Sequence, residues 1–187
     1  MRGKFKALLF AVLFVVLIFT GCGKKVDGNY TAELDMTGMM GPTFESYGIK
    51  PEPLTVNFEL SLSNGSYEAG FETGTNDKMK NWCVKYIKLA IESECNKHHY
   101  STQDYAKHFG YKSIDEYIEA ELSEVIGETD LEKKNEGTYL LVGSKLFFDN
   151  NANEFLEVEN KKLIGTFNAS KFGGNGSYSV VFEKVND

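Results

Sequence analysis

The chain has 187 residues, of which 42% are hydrophobic and 25% charged, and its formal net charge is −7. These values fit one domain with a packed core. Arg2 is the only arginine, so the remaining chain has no guanidinium group for bidentate recognition of phosphate or guanine. Together with the acidic charge balance, this excludes nucleic acid as an expected partner.

The first 22 residues have the pattern of an export signal. Three positive charges within the first six residues precede an apolar run at 7–19. That run has the length of a secretory signal core and is shorter than a membrane-spanning helix. The small residues Thr20-Gly21 then precede Cys22, as a signal peptidase requires.

Phe19-Thr20-Gly21-Cys22 resembles a bacterial lipobox, although Phe19 stands where leucine is usual. The resemblance implies that Cys22 is lipidated, that 1–21 are removed, and that the protein is anchored at the extracytoplasmic face of the cell membrane. We expect residues 22–26 to be the lipidated cysteine and a short tether, and 27–187 to be the domain. Removal of the signal would leave 166 residues with a net charge near −10. A plain secreted protein and an uncleaved anchor are the alternatives.

Alternating apolar residues predict three strands before residue 72, at about 30–36, 54–63 and 67–71. Asn64-Gly65 joins the second and third, and this pair is typical of a two-residue type I′ hairpin. The segment 37–53 contains three prolines and three glycines. We therefore predict a long loop between the first two strands.

The spacing changes to that of amphipathic helices between about 77 and 136, which predicts a three-helix insert. Asp77, Ser101 and Ser113 are the predicted N-caps. Cys83 and Cys95 fall on the first of these helices, twelve residues or about 18 Å apart. Because a disulfide needs Cα atoms within about 7 Å, we expect Cys83 and Cys95 to remain as thiols and not to form a disulfide.

The chain then returns to short alternating segments that predict five more strands, at 138–142, 145–149, 154–159, 162–168 and 177–185. A glycine-rich turn at 173–176 precedes the last of them. Eight antiparallel strands in meander order can close into a barrel, which removes exposed sheet edges.

The opening Gly28-Asn29-Tyr30 and the strand-turn-strand ending from Gly137-Thr138-Tyr139 to Phe182 resemble lipocalin-like domains. They also resemble small lipoproteins of the Firmicutes, a group without an established activity. The resemblance implies an α+β, mostly β fold: an eight-stranded antiparallel lipocalin-like barrel with a three-helix insert between strands 3 and 4. It supplies no site residue except the lipidated Cys22.

Two candidate metal sites have simpler interpretations. Cys95 and His98-His99 are zinc-ligand types, but they lack paired ligand spacing and lie at a predicted helix end. The segment 149–160 starts like a calcium loop but lacks its glycine and its final glutamate. With no nucleophile elbow or metalloprotease motif either, we expect no metal, no cofactor and no catalytic residue.

Aromatic residues are concentrated on the predicted strands, and a barrel of eight strands either is filled by such side chains or holds one small ligand. The insert should lie at one end of the barrel, where it could cover the opening. The candidate ligand-facing residues are Phe58, Tyr67, Phe71, Trp82, Tyr86, Phe167 and Phe182.

We therefore expect a non-enzymatic binding module at the membrane, for a small apolar or amphipathic ligand. A protein–protein interaction or envelope-structure lipoprotein that uses the insert is the alternative. An enzyme of unknown type is the third hypothesis.

Overall fold

A computed structural model describes residues 26–126, 130–168 and 177–185 of the chain. At residues 39–40, 124–126, 167–168 and 177–178 the backbone alone is described. The predicted signal, the lipidation site Cys22 and the predicted turn at 173–176 lie outside the described residues.

Eight antiparallel strands form a closed barrel in meander order, and the last strand pairs with the first. This confirms the predicted fold class. The strands are β1 (Gly28–Asp35), β2 (Thr55–Ser63), β3 (Ser66–Phe71), β4 (Asn135–Val142), β5 (Lys145–Phe148), β6 (Phe155–Glu159), β7 (Lys162–Asn168) and β8 (Ser177–Lys184). The helices are α1 (Thr37–Glu45), α2 (Thr75–His98), α3 (Thr102–His108) and α4 (Ile114–Ile126). Helices α2 to α4 lie between β3 and β4, as predicted.

Side-chain alternation determines which residues fill the barrel. Three pairs in register between β1 and β2 have both side chains at most 6% exposed: Tyr30 with Leu60, Ala32 with Phe58, and Leu34 with Val56. The residues between them face outwards, as the exposed Glu33 does. A slip of one residue would turn the apolar set to solvent, so burial itself enforces this register.

Two hairpin turns have positive φ at both central residues, and only one of them, Asn64-Gly65, has the sequence that this geometry prefers. Asn64 and Gly65 have φ angles of 51° and 84°, and Asn160 and Lys161 have φ angles of 47° and 68°. Positive φ at both central residues is the signature of a type I′ turn, whose twist matches that of the flanking strands. The prediction at Asn64-Gly65 is confirmed.

Helix α1 occupies part of the segment that the sequence predicted as a loop. Propensity does not explain it, because the helix contains Gly41 and Pro42. Tertiary contacts stabilise it instead: Phe44 is 2% exposed and packs edge-on against Trp82, with ring centroids 5.5 Å apart. The Thr37 hydroxyl also accepts a hydrogen bond from the backbone N–H of Leu54 at 2.7 Å.

Helix α2 begins at Thr75 with Gly74 as its N-cap, so the predicted N-cap at Asp77 is wrong by three residues. The cap is supplied from a distant part of the chain. The Glu132 carboxylate accepts hydrogen bonds from the backbone N–H groups of Gly74 and Asn76, at 3.0 and 2.9 Å. Because these otherwise unsatisfied groups are paired by Glu132, no local side-chain cap is needed.

The two shorter helices begin as predicted. Ser101 Oγ accepts a hydrogen bond from the N–H of Asp104, and Ser113 Oγ accepts one from the N–H of Glu116. The insert has its own apolar core between α2 and α4, formed by Cys83, Ile91, Cys95, Ile114, Ile118 and Leu122. Of the helices within the described ranges, none is both long and apolar enough to cross a membrane.

Cys83 and Cys95 are both buried, and no disulfide joins them within the described residues. Burial raises the pKa of the Cys83 thiol to about 11. We expect both thiols to react with Ellman's reagent after denaturation without reductant, and Cys83 to react far more slowly in the folded protein because little thiolate is present. A Cys83–Cys95 bridge in the mass spectrum would contradict this arrangement.

Candidate functional site

The two ends of the barrel differ. One end, called the closed end here, carries the short turns at 64–65, 143–144 and 160–161, together with residue Val26. The other end, called the open end, carries the helices and the turn 149–154 between β5 and β6. Leu62, Leu146 and Leu163 are at most 2% exposed and fill the interior towards the closed end.

A cavity of about 1000 Å³ lies in the barrel wall and interior and reaches the surface at the open end. Its apolar lining includes Phe58, Leu60, Ala69, Phe148, Leu156, Val180 and Phe182. Its polar lining includes Tyr67, Asn135, Glu136, Asp149, Asn153, Glu154, Glu157, Thr166 and Ser179. Asn135, Asn153 and Glu154 are exposed, so this side of the cavity is open to solvent. The volume lies at the upper end of the range usual for small-molecule sites.

A tyrosine–carboxylate pair stands at the mouth of the cavity. The Tyr67 hydroxyl donates a 2.7 Å hydrogen bond to Asp149 Oδ2, and Asp149 Oδ1 accepts a 3.0 Å bond from the N–H of Thr138. Gly137 makes the arrangement possible: a Cβ there would lie 2.2 Å from Asp149 Oδ1 and 2.6 Å from the Tyr67 ring. Burial, followed by the hydrogen bond to Asp149, raises the pKa of Tyr67 to about 12.

The hydrogen bond between Tyr67 and Asp149 should contribute to stability in a pH-dependent way. The pKa of Tyr67 in the folded protein lies above the value of about 10 for a tyrosine in an unfolded chain. Its contribution is therefore complete below pH 10 and is lost as the pH rises through about 12. In Tyr67→Phe, the free energy of unfolding should fall less steeply over this range, by up to about 1.4 kcal/mol per pH unit.

Urea unfolding at a series of pH values measures this difference. Tyr105 and Tyr139, whose pKa values are also raised to about 12, are present in both proteins and cancel in the comparison. Equal pH slopes for the wild type and Tyr67→Phe would contradict the expectation.

The candidate ligand-facing residues fall into four groups. Phe58, Tyr67 and Phe182 line the cavity. Phe71 is fully buried and packs edge-on against Phe58, with ring centroids 5.1 Å apart, outside the cavity lining. Phe167 lies on β7 opposite Tyr178, and its side chain is outside the described residues.

Trp82 and Tyr86 lie away from the cavity lining. Trp82 Nε1 donates a hydrogen bond to the carbonyl oxygen of Glu52, and the Tyr86 hydroxyl accepts one from the N–H of the same residue. Their rings pack together, with centroids 4.8 Å apart. They join α2 to the segment before β2, and none of the described lining residues belongs to the insert's helices. The expectation that the insert covers the opening is therefore not supported by direct contact with the cavity.

Several lining residues were missed by sequence reasoning. Phe148 adjoins Phe147, and two consecutive aromatics do not show which one faces inwards. Asp149 was considered only as the start of a calcium loop, yet its carboxylate pairs with Tyr67, 82 residues away. The sequence did contain one signal for Asp149, because it is a polar residue directly after the inward-facing aromatic Phe148.

The candidate zinc ligands do not converge. His98 Nε2 contacts Glu94 Oε1 at 2.9 Å, whereas Cys95 is buried in the insert core. Within the described residues, no group of three or more histidine, cysteine, aspartate or glutamate side chains could hold a metal ion.

Comparison with protein-family models finds no match to this chain. Comparisons with curated proteins and with solved structures find none either. The cavity geometry is therefore the basis for a functional assignment.

Proposed function

We propose that this protein is a membrane-anchored extracytoplasmic lipoprotein whose barrel binds a small apolar or amphipathic ligand without catalysis. The cavity of about 1000 Å³ at the open end carries this proposal. Its buried lining residues, such as Phe58, Leu156 and Phe182, are aliphatic or aromatic, whereas its polar lining residues are mostly exposed, both at the open end and along β6 to β8. This division suits a molecule with an apolar body and a polar head.

The position of the cavity fits an anchor at Cys22. Val26 is 6% exposed at the closed end, and its carbonyl oxygen accepts a 2.8 Å hydrogen bond from the Tyr30 hydroxyl. Cys22 lies four positions before Val26, so the two residues are at most about 14 Å apart. A lipid on Cys22 would hold the closed end at the membrane and direct the cavity mouth away from it.

Binding of a neutral apolar fluorophore, 1-N-phenylnaphthylamine, tests the proposal. The chain from residue 23 onward is suitable, because it includes every described strand and therefore the whole barrel. We expect saturable fluorescence enhancement, and at least about tenfold weaker binding by Ala69→Phe, since about 1.4 kcal/mol of lost contact is enough. Ala69 lines the cavity, and the larger ring would occupy it.

Leu140→Phe is the matched control, because Leu140 is 51% exposed on the outer face of β4. It should leave probe binding unchanged, and thermal melts should show that both variants fold. Absence of saturable binding to the wild type, or equal binding by Ala69→Phe, would contradict the proposal.

An interaction role for the insert is the second candidate. Phe109 is 50% exposed and Tyr100 40% exposed, and both belong to an aromatic cluster with Tyr105 and Tyr117. Exposed aromatic residues are common in protein interfaces. A screen of lipids and small hydrophobes that leaves the melting temperature unchanged would favour this role over ligand binding.

A further inference from the structure

Resting on the proposed function, we propose that the ligand enters the cavity sideways, through the barrel wall between β6 and β7, and that Leu156 is the gate in this wall. The entrance, called the side slot here, lies between Phe155-Leu156 of β6 and Gly165-Thr166 of β7. All four of these residues line the cavity.

The strand pairing between β6 and β7 ends before the strands themselves do. Its last pair towards the open end is Glu157 with Ile164, although β6 begins at Phe155 and β7 continues to Asn168. On its other side, β7 stays paired with β8 as far as Asn168 with Ser177. Within the described residues, no strand pairing crosses the side slot. The wall therefore separates here without the loss of ladder hydrogen bonds.

The β7–β8 pair is also joined to β1 near the closed end. Lys184 pairs with Tyr30 and Glu183 with Thr31, whereas Ala32–Asp35 pair, within the described residues, with β2 alone. The half of the β7–β8 pair nearer the open end is thus held by strand pairing to neither neighbour. It can move outwards as one unit without breaking a strand pair, and this movement widens the side slot.

The cavity passes through the barrel wall at the same place. Its lining combines buried residues of these strands, such as Leu156 and Val180, with the exposed Glu157, Thr166 and Ser179. Alternation places the exposed set on the outer face of the sheet. A cavity confined to the interior would contact the buried set alone. The side slot is therefore an opening of the cavity in addition to the mouth at the open end.

Leu156 closes this opening. It is 8% exposed, and a Cβ at Gly165 would lie 2.4 Å from Leu156 Cδ2. The Leu156 side chain thus fills the space over the Gly165 backbone, which a side chain at position 165 would take from it. A leucine changes rotamer without breaking a hydrogen bond. Leu156 can therefore open and close the slot while the backbone stays in place.

The chemistry of the two openings favours the side slot for an apolar body. The mouth presents the exposed polar residues Asn135 and Asn153, whose hydration a passing apolar group would disturb. The side slot presents the half-buried Phe155 and Ile164, which also line the cavity. An apolar body that passes along these two side chains stays partly out of water during entry.

A reversible cross-link over the side slot tests this entrance. Continuing the register of Glu157 with Ile164 by two residues places Phe155 opposite Thr166, so Phe155→Cys and Thr166→Cys can be joined as a disulfide. Stopped-flow binding of 1-N-phenylnaphthylamine to the chain beginning at residue 23 is compared for the oxidised and the reduced variant. The cross-link should slow association and dissociation at least about tenfold each, because a blocked route changes both rates alike.

Thr166→Cys with Ser179→Cys is the matched control, because these two positions already pair between β7 and β8. Their cross-link leaves the side slot open to movement, so oxidation should change neither rate. The buried Cys83 and Cys95 are common to both variants. Peptide mapping by mass spectrometry shows which thiols are joined.

Truncation of the gate tests the proposal without a cross-link. Leu156→Ala should accelerate association of the probe about threefold or more, because the slot then lacks its closing side chain. Val158→Ala is the control, because Val158 is buried on the same strand but pairs with Leu163 in the continuous part of the wall. It should leave the association rate unchanged, and thermal melts should show that both variants fold.

Saturable probe binding whose rates the Phe155–Thr166 cross-link does not change would overturn the side entrance and leave cavity binding intact. Equal slowing by the two cross-links, or an association rate that Leu156→Ala does not raise, would do the same. If the disulfide does not form, the Leu156→Ala rate decides. Failure of the wild-type protein to bind the probe at all would overturn the proposed function and the side entrance together.

Discussion

Replacing Cys22 with serine should abolish the processed, membrane-anchored form of the protein. The proposed diacyl anchor is attached through the thiol, and two acyl chains give stable anchoring where one gives only marginal binding. The variant should appear either as an uncleaved precursor or as released protein. Cell fractionation, with intact-mass measurement of the membrane-bound wild type, checks both the location and the modification.

Cys95→Ala is the control for this experiment. Cys95 is 2% exposed in the core of the insert, where it contacts other side chains of the helices. Its replacement should lower stability and leave membrane association intact. An unmodified Cys22 in the native protein, or a Cys22→Ser protein that is cleaved and still bound to the membrane, would refute the anchor.

Phe71→Ala should destabilise the barrel by about 3–5 kcal/mol, the usual cost of removing a buried phenylalanine ring. Phe71 is fully buried. It packs edge-on against Phe58, which in turn packs against Phe182 across the interior, with centroids 6.1 Å apart. The loss combines the transfer free energy of the ring with the cavity that it leaves. Urea unfolding, with the midpoint and the m-value both measured, gives the change in free energy.

Phe109→Ala removes the same ring from the surface of the insert and serves as the control. Phe109 is 50% exposed, although its ring stacks against Tyr117 with centroids 5.3 Å apart. We expect a loss of no more than about 1 kcal/mol. A similar loss in the two variants would mean that Phe71 is not part of the stabilising core.

The candidate site was predicted only in part, because a cavity depends on which side chains meet across the barrel. Alternation correctly assigned Phe58 and Phe182 to the interior, and both line the cavity. The mouth joins Tyr67 on β3 to Asp149 directly after β5, and the whole helical insert lies between them in the chain. Trp82 and Tyr86 were expected to face the ligand because the insert could cover the barrel opening, whereas their contacts join α2 to Glu52.

The sequence by itself determined the features that depend on near neighbours. Side-chain alternation predicted the eight strands, Asn64-Gly65 predicted a type I′ turn, and Ser101 and Ser113 predicted two helix starts; the structure confirms all of them. Each is set by backbone preferences and hydrogen bonds within a few residues. Such signals are readable in a short window of sequence.

Only the tertiary structure decided the features that depend on distant partners. Helix α1 forms despite Gly41 and Pro42 because Phe44 is buried against α2. Helix α2 starts at Thr75 because Glu132, 57 residues later, pairs with its first N–H groups. The cavity, likewise, is the volume left unfilled after side chains from seven strands, β2 to β8, have packed. These outcomes depend on packing and on long-range hydrogen bonds, which local propensity does not encode.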